Sequence, residues 1–335
     1  MVEKRKILVQ VTANKKIGLG HVFNILTILP HFNNDEILIV MNKKNSLGID
    51  KIKSKSYKVK IFETQSQLFT IIKKFSPHII FNDTLNTNVS FIQKLQKMNC
   101  FVVNFEDLGT GSDYANLVFN PIYYQKSTST KFFGEKYACV REEFRKKQMK
   151  STKKSIVISF GGVDPKKLTL RLLKILKKHR PEYKIFVIIG NEFSHQKQVL
   201  AMIKKLKQNG LNIKEIMKTD TIAHFIDGSM FAITANGRTV FEVASRHVPI
   251  ITISANPREE SHAFPKKNKI GYHLGLCSKV TNQEILESIK KMEIRNDRMK
   301  FEKKLQKINL RDSVYNVEKI INGHYKKWSK QVIHS

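Results

Sequence analysis

Short apolar runs alternate with stretches of helical period along the whole chain. The runs Ile7–Val11, Glu36–Met41, Val59–Phe62, His78–Asn82, Phe101–Phe105 and Ala115–Asn120 read as strands. Their apolar residues fall at consecutive positions rather than alternating ones, the pattern of strands covered on both faces. Between them, His21–Leu29, Gln65–Phe75 and Val89–Met98 read as helices. The charged stretch EEFRKKQMKSTKK, Glu142–Lys154, breaks the pattern and reads as an inter-domain linker. Beyond it the pattern restarts. Strands are expected at Ser155–Phe160, Lys184–Ile189, Ile213–Met217, Met230–Thr234 and Ile250–Ser254. Helices are expected at Leu168–Lys178, Gln196–Gln208, Thr221–Ile226 and Thr239–Arg246, and the chain from Thr281 onward reads as mainly helical. Repeated strand–helix–strand units predict parallel sheets clad in helices. The expectation is an α/β protein of two doubly wound, Rossmann-like domains facing a central cleft, residues 1–148 and 149–335.

The length of 335 residues fits two domains of about 150 each. No apolar run approaches the roughly 18 residues of a membrane-spanning helix, and the N-terminal stretch reads as a first strand, not a signal peptide. The formal charge is +32, from 60 Lys and Arg against 28 Asp and Glu. Such an excess invites nucleic acid or an anionic membrane as partner. The lysines, however, are scattered without a dense run or an aromatic-rich basic stripe, so no nucleic acid is expected. A peripheral contact with an anionic membrane stays open, and oligomeric state is not set by the pattern. Cys100, Cys139 and Cys277 form no CxxC pair, which points to a reducing cytoplasm without disulfides or a zinc site. No metal and no cofactor are expected.

Four segments at expected strand ends carry candidate chemistry. Ile17-Gly18-Leu19-Gly20-His21 joins the first strand to the first helix, where glycines admit a ligand close to the backbone. It is not a dinucleotide fingerprint, since Phe23 occupies the third glycine position. His21 is either a helix-start residue with a local hydrogen bond, or a general base or phosphate contact. Ser159-Phe160-Gly161-Gly162-Val163-Asp164-Pro165 repeats the strand–glycine–helix pattern, with Asp164 suited to cap the helix. In Thr234-Ala235-Asn236-Gly237-Arg238-Thr239-Val240-Phe241-Glu242, main-chain N–H groups at Gly237, Arg238 and Thr239 suit an anion. Glu242 there suits a ribose diol, or else pairs with Arg238 one helical turn away. Ser254 to His262 offers Asn256, Arg258 and His262 as contacts to phosphate or sugar, with a solvated loop as the plain alternative. Asn82, Asp83, Glu106 and Asp107 end strands of the first half, where they suit sugar hydroxyls or cap turns.

In order and spacing these segments resemble a known family. GLGH at Gly18–His21, GGVDP at Gly161–Pro165 and NGRTVFE at Asn236–Glu242 are similar to the GT-B, MurG-like glycosyltransferase superfamily. Within it they resemble the UDP-sugar hydrolases of pseudaminic acid biosynthesis and the spore-coat polysaccharide proteins. Phe105-Glu106-Asp107-Leu108, Phe119-Asn120-Pro121 and the segment Gly134 to Phe144 extend the likeness, which runs from about residue 5 to residue 290. The resemblance implies that His21 activates the attacking water, that Gly237, Arg238 and Thr239 hold a pyrophosphate, and that Glu242 holds ribose. It also implies that the backbone near Ile216 and Met217 clamps uracil and that Asn256 faces the sugar. The implied reaction is release of UDP from a UDP-2,4-diacetamido-2,4,6-trideoxyhexose-like sugar, without metal. The same base and leaving group also serve a glycosyltransferase. A sugar 2-epimerase of this architecture and a non-catalytic basic nucleic-acid-binding protein are the remaining alternatives. This chain departs from the family pattern at Asn24 (for arginine), at Pro257 (for glutamine) and at His247 (for glycine), all read as bearing on the sugar or its acceptor.

Overall fold

The structure is a computed structural model that describes residues 4–14, 17–147, 154–190, 192–217, 219 and 221–333. The chain divides into two units, Met1–Cys139 with Asp312–Ser335, and Val140–Arg311. Each is a parallel sheet with helices on its two faces. The first sheet contains β1 (Lys6–Val11), β2 (Glu36–Asn42), β3 (Val59–Phe62), β4 (Ile79–Asp83), β5 (Phe101–Phe105), β6 (Leu117–Asn120) and β7 (Lys131–Phe133). Their order is β3-β2-β1-β4-β5-β6-β7. The second contains β8 (Ser155–Ser159), β9 (Lys184–Ile188), β10 (Ile213–Ile216), β11 (Ser229–Ala235), β12 (Ile250–Ser254) and β13 (Gly271–Leu276), in the order β10-β9-β8-β11-β12-β13. Both are doubly wound, with the order reversing between β1 and β4 in one and between β8 and β11 in the other. The crevice at the carboxyl ends of such neighbouring strands is where ligands bind in these sheets.

Successive residues of β1 and β4 divide the first unit's core. Ile7, Val9 and Val11, with Ile79 and Phe81, pack under the helix Gly20–Ile28. Leu8 and Ile80 face the helices Gln65–Phe75 and Val89–Gln96. This is the two-residue period of an extended strand, with one apolar layer on each face. In the second unit one core joins Ile156 and Ile158 of β8 to Ile233 of β11 and Ile251 and Ile253 of β12.

Two boundary expectations are corrected. The C-terminal helix Ser313–Ile333 belongs to the first unit, not to the second. Val314, Val317 and Ile321 recur at helical spacing and are fully buried in the β1 core, while Tyr325 and Trp328 pack on Phe101 of β5. The polar stretch expected to link the domains is in part not a linker. Glu142–Arg145 is a helical turn, and Phe144 is buried. The guanidinium of Arg246 grips this segment. It donates to the carbonyls of Phe144 at 3.3 Å and Lys146 at 2.5 Å, and forms a paired bond to Asp227 at 2.6 Å from both Nε and Nη2. Residues 148–153 of the expected linker lie outside the described residues. Two edge strands, β7 and β13, and the helix Ser46–Lys53 were not expected.

Candidate functional site

In the first unit the chain leaves β1 and turns tightly. Gly18, at φ +73°, donates its N–H to the Asn14 carbonyl at 2.8 Å, and Ile17 N–H donates to Asn14 Oδ1 at 3.2 Å. Gly20 opens the helix, and His21 follows in its first turn. The His21 ring is buried, and its Nδ1 lies 2.5 Å from Asp83 Oδ1. Asp83 is the last residue of β4 and pairs in register with Val11 of β1, so the switch point itself joins histidine and carboxylate. Asn24, one turn further along the helix, donates to the other oxygen, Asp83 Oδ2, at 2.6 Å. A carboxylate accepts only, so Nδ1 carries the proton and Nε2 is the basic nitrogen. This histidine is oriented as a general base is oriented in hydrolytic triads. Glu106, at φ +53°, brings Oε2 to 3.9 Å from the same Nδ1.

Asp107 plays another part. Its carboxylate accepts from the N–H groups of Thr87 at 2.9 Å and Gly109 at 2.7 Å and from Asn104 Nδ2 at 2.6 Å. It ties together the loops after β4 and β5. Asn82 donates to Asn104 Oδ1 at 2.9 Å in the same buried network. Asp83, expected to meet sugar hydroxyls or cap a turn, instead lies beside His21, because β4 is the spatial neighbour of β1.

In the second unit the two glycine-bearing loops follow β8 and β11, which are neighbours in the sheet with Ser159 opposite Thr234. Gly161 has φ +78°, a conformation that favours glycine. A Cβ added at Gly161, Gly162 or Gly237 would meet no atom within 4 Å. Packing within the chain therefore does not call for glycine at Gly162 or Gly237, and all three leave backbone open to an outside group. Arg238 flanks the helix Thr239–Ser245, and Gly237, Arg238 and Thr239 are half-buried. Glu242 is not paired as an i,i+4 neighbour of Arg238. Its Oε1 accepts from Arg141 Nε at 2.6 Å, and Arg141 Nη1 also lies 3.0 Å from Glu143. Glu143 Oε2 accepts from the N–H groups of Ile222 and Ala223, and burial raises the pKa of its carboxyl. A carboxylate offers about four lone-pair sites, so the Arg141 bond does not exhaust Glu242.

Several expected contacts are instead structural. Asn236 is buried, and its Nδ2 donates to the carbonyls of Glu259 at 2.7 Å and His262 at 3.1 Å. His262 is fully buried against Phe241, and its Nδ1 donates to the Asn236 carbonyl at 2.9 Å. Burial pushes its pKa down to about 4. Neither side chain is available to a phosphate or a sugar. They lock the turn after β11 to the turn after β12. Asn256 is exposed, and its Oδ1 caps the short helix Pro257–Glu260 by accepting from Glu259 N–H at 3.0 Å. Arg258 lies half-buried within that helix. Asp164 is not the N-cap of the helix Leu168–His179, a position that Lys167 holds, but its carboxylate reaches the helix start and accepts from Leu168 and Thr169 N–H at 2.8 and 2.9 Å. The helix begins at Leu168, so Pro165 is not its first residue. Ile216 turns its main chain toward β9, where its carbonyl accepts from Ile189 N–H at 2.9 Å. Among the described residues no cluster of three or more His, Cys, Asp or Glu side chains forms a metal set, and no helix is long and apolar enough to cross a membrane.

No family model matches the chain. The uncharacterized protein MJ1062 of Methanocaldococcus jannaschii is 27% identical over 272 residues, 75% of this chain and 56% of that protein. The spore coat polysaccharide biosynthesis protein SpsG of Bacillus subtilis is 24% identical over 199 residues, 55% of this chain and 57% of that protein. The chain thus spans a little over half the length of these curated relatives. Among solved structures, Acinetobacter baumannii MurG matches with a TM-score of 0.70 at 15% identity, covering 96% of this chain and 100% of that one. Anabaena HepE, solved in complex with UDP, matches with a TM-score of 0.65 at 12% identity, again over 96% and 100%. With two parallel sheets of seven and six strands, these likenesses show that the chain has the GT-B, MurG-like fold of two Rossmann-like domains.

Proposed function

We propose that this chain cleaves a UDP-sugar at the anomeric C1–O bond and releases UDP, with water as acceptor, as a metal-independent hydrolase of surface-polysaccharide or nonulosonic acid synthesis. The observation that carries this reading is the buried His21–Asp83 pair at the switch point of the first unit. A water gives its proton to His21 Nε2 as its oxygen bonds to C1. The C1–O bond breaks, and its electron pair leaves with the diphosphate of UDP. Main-chain N–H groups of Gly237, Arg238 and Thr239, with the Arg238 guanidinium, match that growing charge. The helix that begins at Thr239 has only seven residues, so these local dipoles act rather than a long macrodipole.

Glu242, held by Arg141, accepts from the ribose hydroxyls. The main chain of Met217, not of Ile216, reads the uracil edge, because alternation along an extended chain turns it away from β9. The UDP in the HepE structure and the SpsG role in polysaccharide biosynthesis support the nucleotide and the pathway class. Glycosyl transfer uses the same base and leaving group, with a sugar hydroxyl in place of water, and the likeness to MurG favours it as the second reading.

Calorimetric titration with UDP tests the nucleotide half of the proposal. UDP binds the wild type, and Glu242→Ala weakens it by at least about tenfold. Absence of UDP binding by the wild type overturns the reading.

A further inference from the structure

The carboxyl edge of the first sheet has two faces, and the His21–Asp83 pair occupies only one of them. Asp83 lies on the face of Phe81, under the helix Gly20–Ile28. Gln10 of β1 continues the opposite face, that of Leu8, toward the helices Gln65–Phe75 and Val89–Gln96. There a cavity of about 320 Å³ opens, lined by Gln10, Gln65, Thr84 and Asn86 over Phe62 and Phe91. That volume is at the small end of the roughly 300–1,000 Å³ of ligand pockets.

Its chemistry is unlike the rest of the surface. Not one of its lining residues is charged, in a chain where 26% of residues are. The loops that frame it are fixed from within. Asn42 Oδ1 accepts from Lys44 N–H at 3.1 Å, Asn88 Oδ1 accepts from Phe91 N–H at 2.9 Å, and Thr87 N–H donates to Asp107 at 2.9 Å. Among the described residues, Gln10, Gln65 and Thr84 make no side-chain hydrogen bond. Two amides and a hydroxyl, each both donor and acceptor, thus stand unengaged around an aromatic floor. An anion finds no cation here, and an apolar ligand would strip water from the amides without replacing its bonds. A pyranose answers both parts, its hydroxyls pairing with amides and its C–H face lying on the rings, and an acylamido group adds a matching amide.

We infer that this pocket is a carbohydrate site for one neutral, N-acylated sugar residue, distinct from the His21–Asp83 pair and on the other face of the same sheet. It is read from its own lining and goes beyond the nucleotide reading above.

The test titrates the full chain with triacetylchitotriose, with cellotriose as the analogue lacking acylamido groups, and with uridine, read by saturation-transfer NMR and calorimetry. Triacetylchitotriose binds, cellotriose binds more weakly, and uridine does not compete. Gln10→Leu and Gln65→Ala each weaken the saccharide by about tenfold or more. Gln65 is exposed, so its variant carries the test if Gln10→Leu does not fold. Saturating UDP leaves saccharide affinity unchanged, so failure of the nucleotide reading and failure of this one are separable. No saccharide binding, equal binding of the two saccharides, binding indifferent to both substitutions, or displacement by uridine each overturns the inference.

Discussion

His21 Nδ1 and Asp83 Oδ1 lie 2.5 Å apart, 62 residues from each other in sequence and both shielded from solvent. In the proposed reaction the carboxylate fixes the ring tautomer and balances the charge that the ring gains with a proton. Asp83→Asn keeps the shape and presents the wrong hydrogen-bonding group. It is expected to lower kcat for UDP release by about 10³- to 10⁴-fold, with UDP affinity unchanged. Asn24→Ala, which removes the bond to Asp83 Oδ2, is expected to lower kcat by about tenfold at unchanged KM. Steady-state kinetics with a UDP-sugar check both, and an Asp83→Asn enzyme of wild-type kcat contradicts the role given to the pair.

Arg141 donates to Glu242, the carboxylate proposed to hold the ribose. If its role is to hold that carboxylate, the two residues form one unit, and their effects do not add. Arg141→Met and Glu242→Gln are each expected to weaken UDP by at least about tenfold. The double variant is expected to be no weaker than the worse single one. Calorimetric titrations of the four proteins close the cycle, and additive losses show that Arg141 acts elsewhere.

The Arg246–Asp227 pair holds residues 144–147 on the second unit. Asp227→Ala leaves a buried guanidinium without its carboxylate, a loss of about 3–5 kcal/mol. Urea denaturation measures it. Limited trypsin digestion is expected to cut the variant after Arg145 or Lys146 under conditions where the wild type stays intact, because the carbonyl bonds that pin this segment loosen with Arg246.

His262 makes stability depend on pH. Its ordinary value is 6.5, and burial lowers it to about 4 in the folded chain. Between these values the unfolded chain binds the extra proton, so this contribution is complete above 6.5 and is lost as pH falls toward 4. The full effect is on the order of 3 kcal/mol. Burial raises the pKa of Glu143, Asp164 and Glu259, which titrate with the opposite sign, so a variant comparison is needed. His262→Gln is expected to be less stable at neutral pH and to lose less between pH of about 7 and 5 than the wild type. Parallel thermal-midpoint curves for the two proteins contradict the assignment.

What was legible in the sequence was local. β3, β5 and β12 and the helices Gln65–Phe75 and Gln196–Gln208 have the bounds their periodicity predicts. β13, Gly271–Leu276, was not legible, because an edge strand with two glycines and every residue half-exposed carries neither an apolar run nor an alternation. β7 is three residues long. His21 stood out beside its glycines, but its partner comes from another strand. The signal for Asp83 was an acid closing the apolar run IIFND, combined with the rule that β4 lies beside β1 in a doubly wound sheet. For Glu242 the local pattern offered Arg238, whereas the structure pairs it with Arg141, 101 residues away. The sealed roles of Asn236 and His262 come from a long-range lock between two turns, and no local pattern reports it.

The most direct test is UDP release from a panel of UDP-2-acetamido sugars without acceptor, comparing the wild type with His21→Ala. The account expects release by the wild type that falls to background in His21→Ala, while that variant still binds UDP. Release by His21→Ala at the wild-type rate, or a wild type that neither releases nor binds UDP, contradicts it.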